Sequence, residues 1–161
     1  MELAWSKRMS VGNETIDSEH RLIIDLVNEV ESAIRTKDDA LVVRTLNVLE
    51  QDARAHFENE ERFAEAVHFP FDEHKQEHRY IPDELRVFMK KPADNQGVWS
   101  ESVAEYCYMF LSAWAMEHVL EDDMKMKPLL ETCPYDYKPD DPASLKSKRR
   151  AFCIGQSLAD D

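Results

Sequence analysis

The chain has 161 residues, with 20 Lys and Arg against 33 Asp and Glu, for a formal net charge of −13. That balance argues against nucleic acid and anionic membrane surfaces as partners, since both repel an acidic protein. Three glycines and 33% charged residues favour long helices over a turn-rich β fold, and the length suits one domain with a full core.

The N-terminal MELAWSKRMS has no apolar signal core, and no later run approaches a membrane span, so a cytoplasmic location is expected. After a loop containing Gly12, Ile16 to Arg35 places His20, Ile23, Ile24, Val27, Val30 and Ile34 on one stripe, capped by Asp17 or Ser18. The sequon at Asn13-Glu14-Thr15 is read as accidental. Thr36 to Asp39 is a polar break. The second stripe runs Val42, Leu46, Leu49, Ala53, His56, Phe57, Glu60, Phe63 and Val67 and ends near Pro70. A third runs Phe71, His74, His78, Ile81, Leu85 and Phe88 and ends at Lys90-Lys91-Pro92. Within it, Pro82 removes the hydrogen bond to the carbonyl of His78, which predicts a kink or a bulge. Pro92 to Gly97 reads as a loop. The fourth stripe runs Val103, Cys107, Phe110, Leu111, Trp114 and His118, and Pro128 is expected to finish that helix. Lys138 to Asp161, with the basic cluster Lys146, Lys148, Arg149 and Arg150, reads as a charged tail or short docking helix after a bundle of residues 1–137. Cys107, Cys133 and Cys153 form no recognisable metal spacing and read as reduced bystanders.

Four amphipathic helices with short connections predict an all-α, up-down-up-down four-helix bundle. In each stripe a histidine replaces an apolar residue. His20 opens the first helix, His56 and Glu60 close the second, His74 and His78 open the third, and His118 closes the fourth. Antiparallel neighbours bring start to end, so all of these collect at one end of the bundle, joined by an aspartate just after His118. Residues four apart on a helix share a face about 6 Å apart along the axis, which suits one metal or two adjacent ones. Burying so many ionisable groups calls for a metal to neutralise them. Five imidazoles and two carboxylates suit iron, manganese, copper or zinc. They are too many for one ion with an open position, but shared between two ions they leave one position vacant. Such a nitrogen-rich set should favour reversible binding of a small ligand over oxygen activation.

In Trp5, Val11-Gly12 before Ile16-Asp17-Ser18-Glu19-His20, His56-Phe57-Glu58-Asn59-Glu60-Glu61, His74-Lys75-Gln76-Glu77-His78 and Trp114-Ala115-Met116-Glu117-His118-Val119, the sequence resembles the hemerythrin family, specifically its single-domain bacterial members. The resemblance spans about residues 1–137 and implies two iron ions joined by an oxo or hydroxo bridge. It implies that His74, His78 and His118 hold one iron and His20 and His56 the other, with Glu60 and Asp123 bridging. Dioxygen is then the ligand, taken up at the iron with two histidines, in a pocket lined by Ile23, Phe57, Trp114 and Met116. Helix geometry alone would select Asp122, four residues after His118, whereas the family pattern selects Asp123. The resemblance implies reversible dioxygen binding, as carrier, supply or scavenger and not as an enzyme. The same site could also serve an oxygen or redox sensor, or slow peroxide or nitric oxide chemistry. Ala115 stands where many relatives carry leucine.

Other readings fit less well. A ferritin-like oxidase requires Glu-x-x-His on two helices, and only His68, three residues after Glu65, has that spacing here. His74-Lys75-Gln76-Glu77-His78 matches an inverted zinc-protease motif, but that leaves the other histidines unexplained. His68, between the second and third helices, fits no ligand position and reads as a surface residue.

Overall fold

The computed structural model describes residues 2–91 and 98–132. Its main helices are α1 (Glu14–Thr36), α2 (Asp39–Ala66), α3 (His74–Lys90) and α4 (Glu101–Glu117), with a short α5 (Lys127–Thr132) following two irregular turns. A 3-10 turn, Lys7–Met9, precedes them. The helix α1 packs on both α2 and α4, and α2 packs on α3. This is the expected four-helix bundle. The loop expected at 92–97 and the tail expected at 138–161 lie outside the described residues. Among those described, no helix is long and apolar enough to cross a membrane.

The helix ends differ from the sequence expectation in instructive ways. Asn13 caps α1, its side-chain oxygen accepting from the Ile16 N–H at 3.1 Å. Asp17 is buried inside the helix and accepts from the Val11 N–H at 2.9 Å and from the Ser10 hydroxyl. It therefore ties the N-terminal lead to the bundle instead of starting α1. Helix α2 begins at a cap on Asp38, which accepts from the Leu41 N–H at 2.9 Å. Its C-terminus closes with Phe69 N–H on the Ala64 carbonyl at 2.9 Å and His68 N–H on the Glu65 carbonyl at 3.3 Å. That pairing requires a left-handed residue between, and His68 supplies it with φ 57°. Hence His68 is a helix-ending residue, exposed and outside both clusters of metal-binding groups.

Helix α3 begins at His74, three residues later than its apolar stripe, so Phe71 precedes the helix and stacks on the His74 ring at 4.5 Å. Pro82 lies inside α3, which stays α-helical from His74 to Lys90 without a bulge. The irregularity falls instead after α4, where His118–Asp122 forms a π-helical turn and Asp123–Met126 a 3-10 turn. Pro128 does not finish that helix. It is the second residue of α5, a first-turn position where no N–H donor is required.

Three apolar clusters surround one end of the bundle. The largest runs along the helices from Val30, Leu46 and Leu85 to Ile23, Phe57, Leu111 and Trp114. A second, of Val11, Ile16, Phe63, Ala64 and Met126, closes the bundle beyond it. Two of the site residues on α1 and α2 lie in sequence between these clusters, His20 between Ile16 and Ile23 and Glu60 between Phe57 and Phe63, whereas His56 lies between Ala53 and Phe57 of the first. The third cluster, Met9, Ile24 and Val119, covers one flank. Cys107 is buried in the first cluster, where desolvation pushes its thiol up to about 12 and leaves it inert. Cys133 and Cys153 lie outside the described residues.

Candidate metal centre

The seven side chains singled out by sequence converge between these clusters. His20, His56, His118, Glu60 and Asp123 are fully buried and His78 is 5% exposed. Glu60, His74, His78 and His118 form one group, and His20, His56, Glu60 and Asp123 another, with the potential ligand atoms of each within 4.8 Å of one another. Glu60 belongs to both. Its Oε2 stands 3.4 Å from His56 Nε2, 3.3 Å from His78 Nε2 and 3.6 Å from the Nε2 atoms of His74 and His118. Asp123 divides its oxygens, Oδ2 lying 3.0 Å from His20 Nε2 and Oδ1 3.3 Å from His74 Nε2. The disposition suits a carboxylate that bridges two ions. His56 Nε2, on α2, also lies 3.2 Å from His118 Nε2, in the turn that follows α4.

The π-helical turn explains why Asp123 and not Asp122 reaches inward. A π turn closes with a hydrogen bond five residues back, and here the Asp123 N–H bonds the His118 carbonyl. Five residues then bring the chain back to the face of His118. Asp122 is left outside, 26% exposed, with its Oδ1 2.6 Å from Lys125 Nζ. Burial alone would raise its carboxyl, but the hydrogen bonds from Lys125 and Glu77 prevail and lower it. Asp123→Ala is therefore expected to reduce bound metal from two equivalents to one or fewer, while Asp122→Ala keeps both. Elemental analysis after anaerobic reconstitution checks this, and retention of two metals by Asp123→Ala would reject the register.

The electrostatics fit metal ions. Burial first, and then neighbouring histidines, push His56 and His118 well below their ordinary range. His74 is lowered by burial, and His78 falls to about 2 through burial and then the charges of His74 and Lys75. All four are held neutral, the form that ligates. Burial, then the charge of Asp123, pushes Glu60 well above its ordinary value. Both Glu60 oxygens, both Asp123 oxygens, both His20 nitrogens and the Nε2 atoms of His74 and His78 are buried without a hydrogen-bond partner among the described residues. Orphaned buried polar atoms at this density are costly, and bound cations would satisfy them. The residues fit a pair of metal ions with nitrogen and oxygen ligands.

Of the apolar residues expected to line a ligand pocket, Ile23, Phe57 and Trp114 are buried in one cluster. Phe57 stacks on His78 with ring centroids 4.0 Å apart, and Trp114 on His118 at 5.8 Å. Met116 packs elsewhere, on the flank formed by Met9, Ile24 and Val119. Several neighbours escaped the sequence reading. Glu19 Oε2 is 3.1 Å from His56 Nδ1, Glu61 Oε1 3.6 Å from His78 Nδ1 and Glu77 Oε1 3.9 Å from His118 Nδ1. Glu77 is raised to about 7, by burial first and then by Asp122. Each acid directly adjoins a site residue in sequence, but on a helix it points some 100° away, so its partner on another helix is invisible without the fold.

Residues 11–130 match the family model described as the hemerythrin HHE cation binding domain. Over 124 residues the chain is 27% identical to the bacteriohemerythrin of Stenotrophomonas maltophilia (strain R551-3), covering 75% of this chain and 76% of that protein. It is 24% identical over 124 residues to the bacteriohemerythrin of Pseudomonas aeruginosa (strain LESB58), with the same coverage. It is also 27% identical over 124 residues to the hemerythrin subunit alpha of Lingula anatina, covering 77% of this chain and 92% of that protein.

Proposed function

Since the chain belongs to the hemerythrin family, we propose that it binds dioxygen reversibly at a carboxylate-bridged pair of iron ions, acting in oxygen carriage, supply or scavenging. The observation that carries this reading is the sharing of Glu60 between two buried ligand groups. We assign His74, His78 and His118 to one iron, His20 and His56 to the other, and Glu60 and Asp123 to both. When held by these residues, an iron pair would supply the redox chemistry that dioxygen binding requires.

The chain's own residues make such binding reversible. Ile23, Phe57 and Trp114 keep bulk water away from the centre, which protects it from hydrolytic loss of charge and of ligand. The neutral, buried imidazoles present lone pairs without first having to lose protons. Glu60 and Asp123 are the two carboxylates in a proposed ligand set whose other members are five imidazoles, fewer than the carboxylate-rich sets that stabilise strongly oxidised states. Binding without turnover is the corresponding activity.

The test is optical. Anaerobically reduced, iron-loaded protein should develop a charge-transfer band on exposure to air and lose it when oxygen is removed. Passage straight to a stable oxidised spectrum that oxygen removal does not bleach would overturn reversible binding.

A further inference from the structure

Glu19 belongs to neither ligand group, yet it is the carboxylate most firmly tied to one of them. His56 Nδ1 lies 3.1 Å from Glu19 Oε2, and the other oxygen, Oε1, accepts from Asn59 Nδ2 at 2.6 Å. Asn59 is itself nearly buried, at 9% exposure, and lies one turn after His56 on α2. The outward nitrogens of His20, His78 and His118, by contrast, have no hydrogen bond among the described residues. Glu19 also immediately precedes His20 on α1, so one residue joins the two helices that supply His20 and His56.

This geometry has a defined chemical consequence. With its hydrogen on Nδ1 donated to Glu19, His56 must leave Nε2 bare, and Nε2 is the atom that faces Glu60 and His118. An anion accepting from the far side of an imidazole also makes that imidazole a stronger donor to a cation. We propose that Glu19, held by Asn59, is the positioning residue of the two-histidine half of the metal pair, fixing the orientation of His56 and raising its donor strength. The proposal rests on the paired-metal reading above but not on dioxygen as the ligand.

Anaerobic titration with cobalt(II), followed by visible absorption and calorimetry, tests it in the full chain. Glu19→Ala should weaken one of two cobalt equivalents about 10–100-fold, the usual cost of losing such an outer partner. It should be the same equivalent that His20→Ala abolishes, with the other unchanged. Glu19→Gln keeps an acceptor for His56 but not the charge. It should therefore restore both equivalents, while in iron-loaded protein the midpoint potential rises. Two cobalt equivalents of native affinity in Glu19→Ala, or equal weakening of both, would overturn the proposal. If Glu19→Ala fails to fold, as judged by circular dichroism, an unchanged potential in Glu19→Gln would overturn it instead. Native protein that binds a single cobalt ion would remove the paired-metal premise with it, whereas irreversible oxidation of the iron form would leave the role of Glu19 standing.

Discussion

His118→Ala is expected to strip the protein of its paired metal, from two equivalents to fewer than one, while His68→Gly retains both. His118 sits where the two ligand groups meet. Its Nε2 is 3.2 Å from His56 Nε2, 3.5 Å from Asp123 Oδ2 and 3.6 Å from Glu60 Oε2. Removing it takes away one ligand and leaves its neighbours facing a cavity. The loss of affinity should exceed the roughly 10–100-fold that follows deletion of an outer partner. The fold itself should survive, because the metal-free core is relieved of an imidazole whose Nδ1 has no hydrogen bond. Metal-free His118→Ala should stay within about 2 kcal/mol of metal-free native protein, cavity cost against relief of a desolvated polar group. His68 makes the informative control because its constraint is backbone. At φ 57° it ends α2, so His68→Ala should cost about 1 kcal/mol without touching the metal, and His68→Gly should cost nothing. Iron analysis with thermal unfolding measures both effects. Two irons in His118→Ala, or an empty site in His68→Gly, would refute the ligand assignment.

The bundle was legible in the sequence because its signals are periodic and local. Apolar stripes with a histidine in each place a polar cluster in the core, and antiparallel packing puts it at one end. What escaped was set by backbone irregularity and by contacts between helices. Four-residue spacing alone selects Asp122; the family resemblance selected Asp123, and the π-helical turn after His118 is the distortion that brings it round to the same face. Pro82 drew attention as the place for such an irregularity, but α3 absorbs it without one. The cap was expected at Asp17 or Ser18 but falls on Asn13, because Asp17 is taken up by bonds from Val11 and Ser10 that no spacing rule reveals. Glu19, Glu61 and Glu77 were hidden for the same reason: each is adjacent to a site residue in the chain, but its partner lies across the bundle.

Glu60→Gln is expected to separate stability from metal binding, with opposite signs. Glu60 is fully buried, and its carboxyl is raised well above the ordinary 4.5 by desolvation and by Asp123. A group whose folded value lies above its unfolded one contributes stability below the unfolded value and withdraws it as pH rises through the folded value. In metal-free native protein Glu60 is therefore destabilising at pH 8 relative to pH 4, because burial and the charge of Asp123 disfavour its charged form. A glutamine carries no charge to desolvate. Its amide can donate to the bare Nε2 of His56, which stands 3.4 Å from the present oxygen. Metal-free Glu60→Gln should therefore be more stable than metal-free native protein at pH 8 by roughly 1–3 kcal/mol, the usual penalty of an unsatisfied buried group. The advantage should vanish near pH 4, where both side chains are neutral. Metal loading should reverse the order, because the anionic carboxylate proposed to join the two ions is gone: native protein should gain stability with added iron(II), and the variant little or none. Calorimetric melting at pH 4 and pH 8, with and without metal, reads all of these terms. A variant less stable than native at pH 8 in the absence of metal would mean that Glu60 is held by bonds to the protein itself, and its role as a carboxylate left unpaired for cations would have to be abandoned.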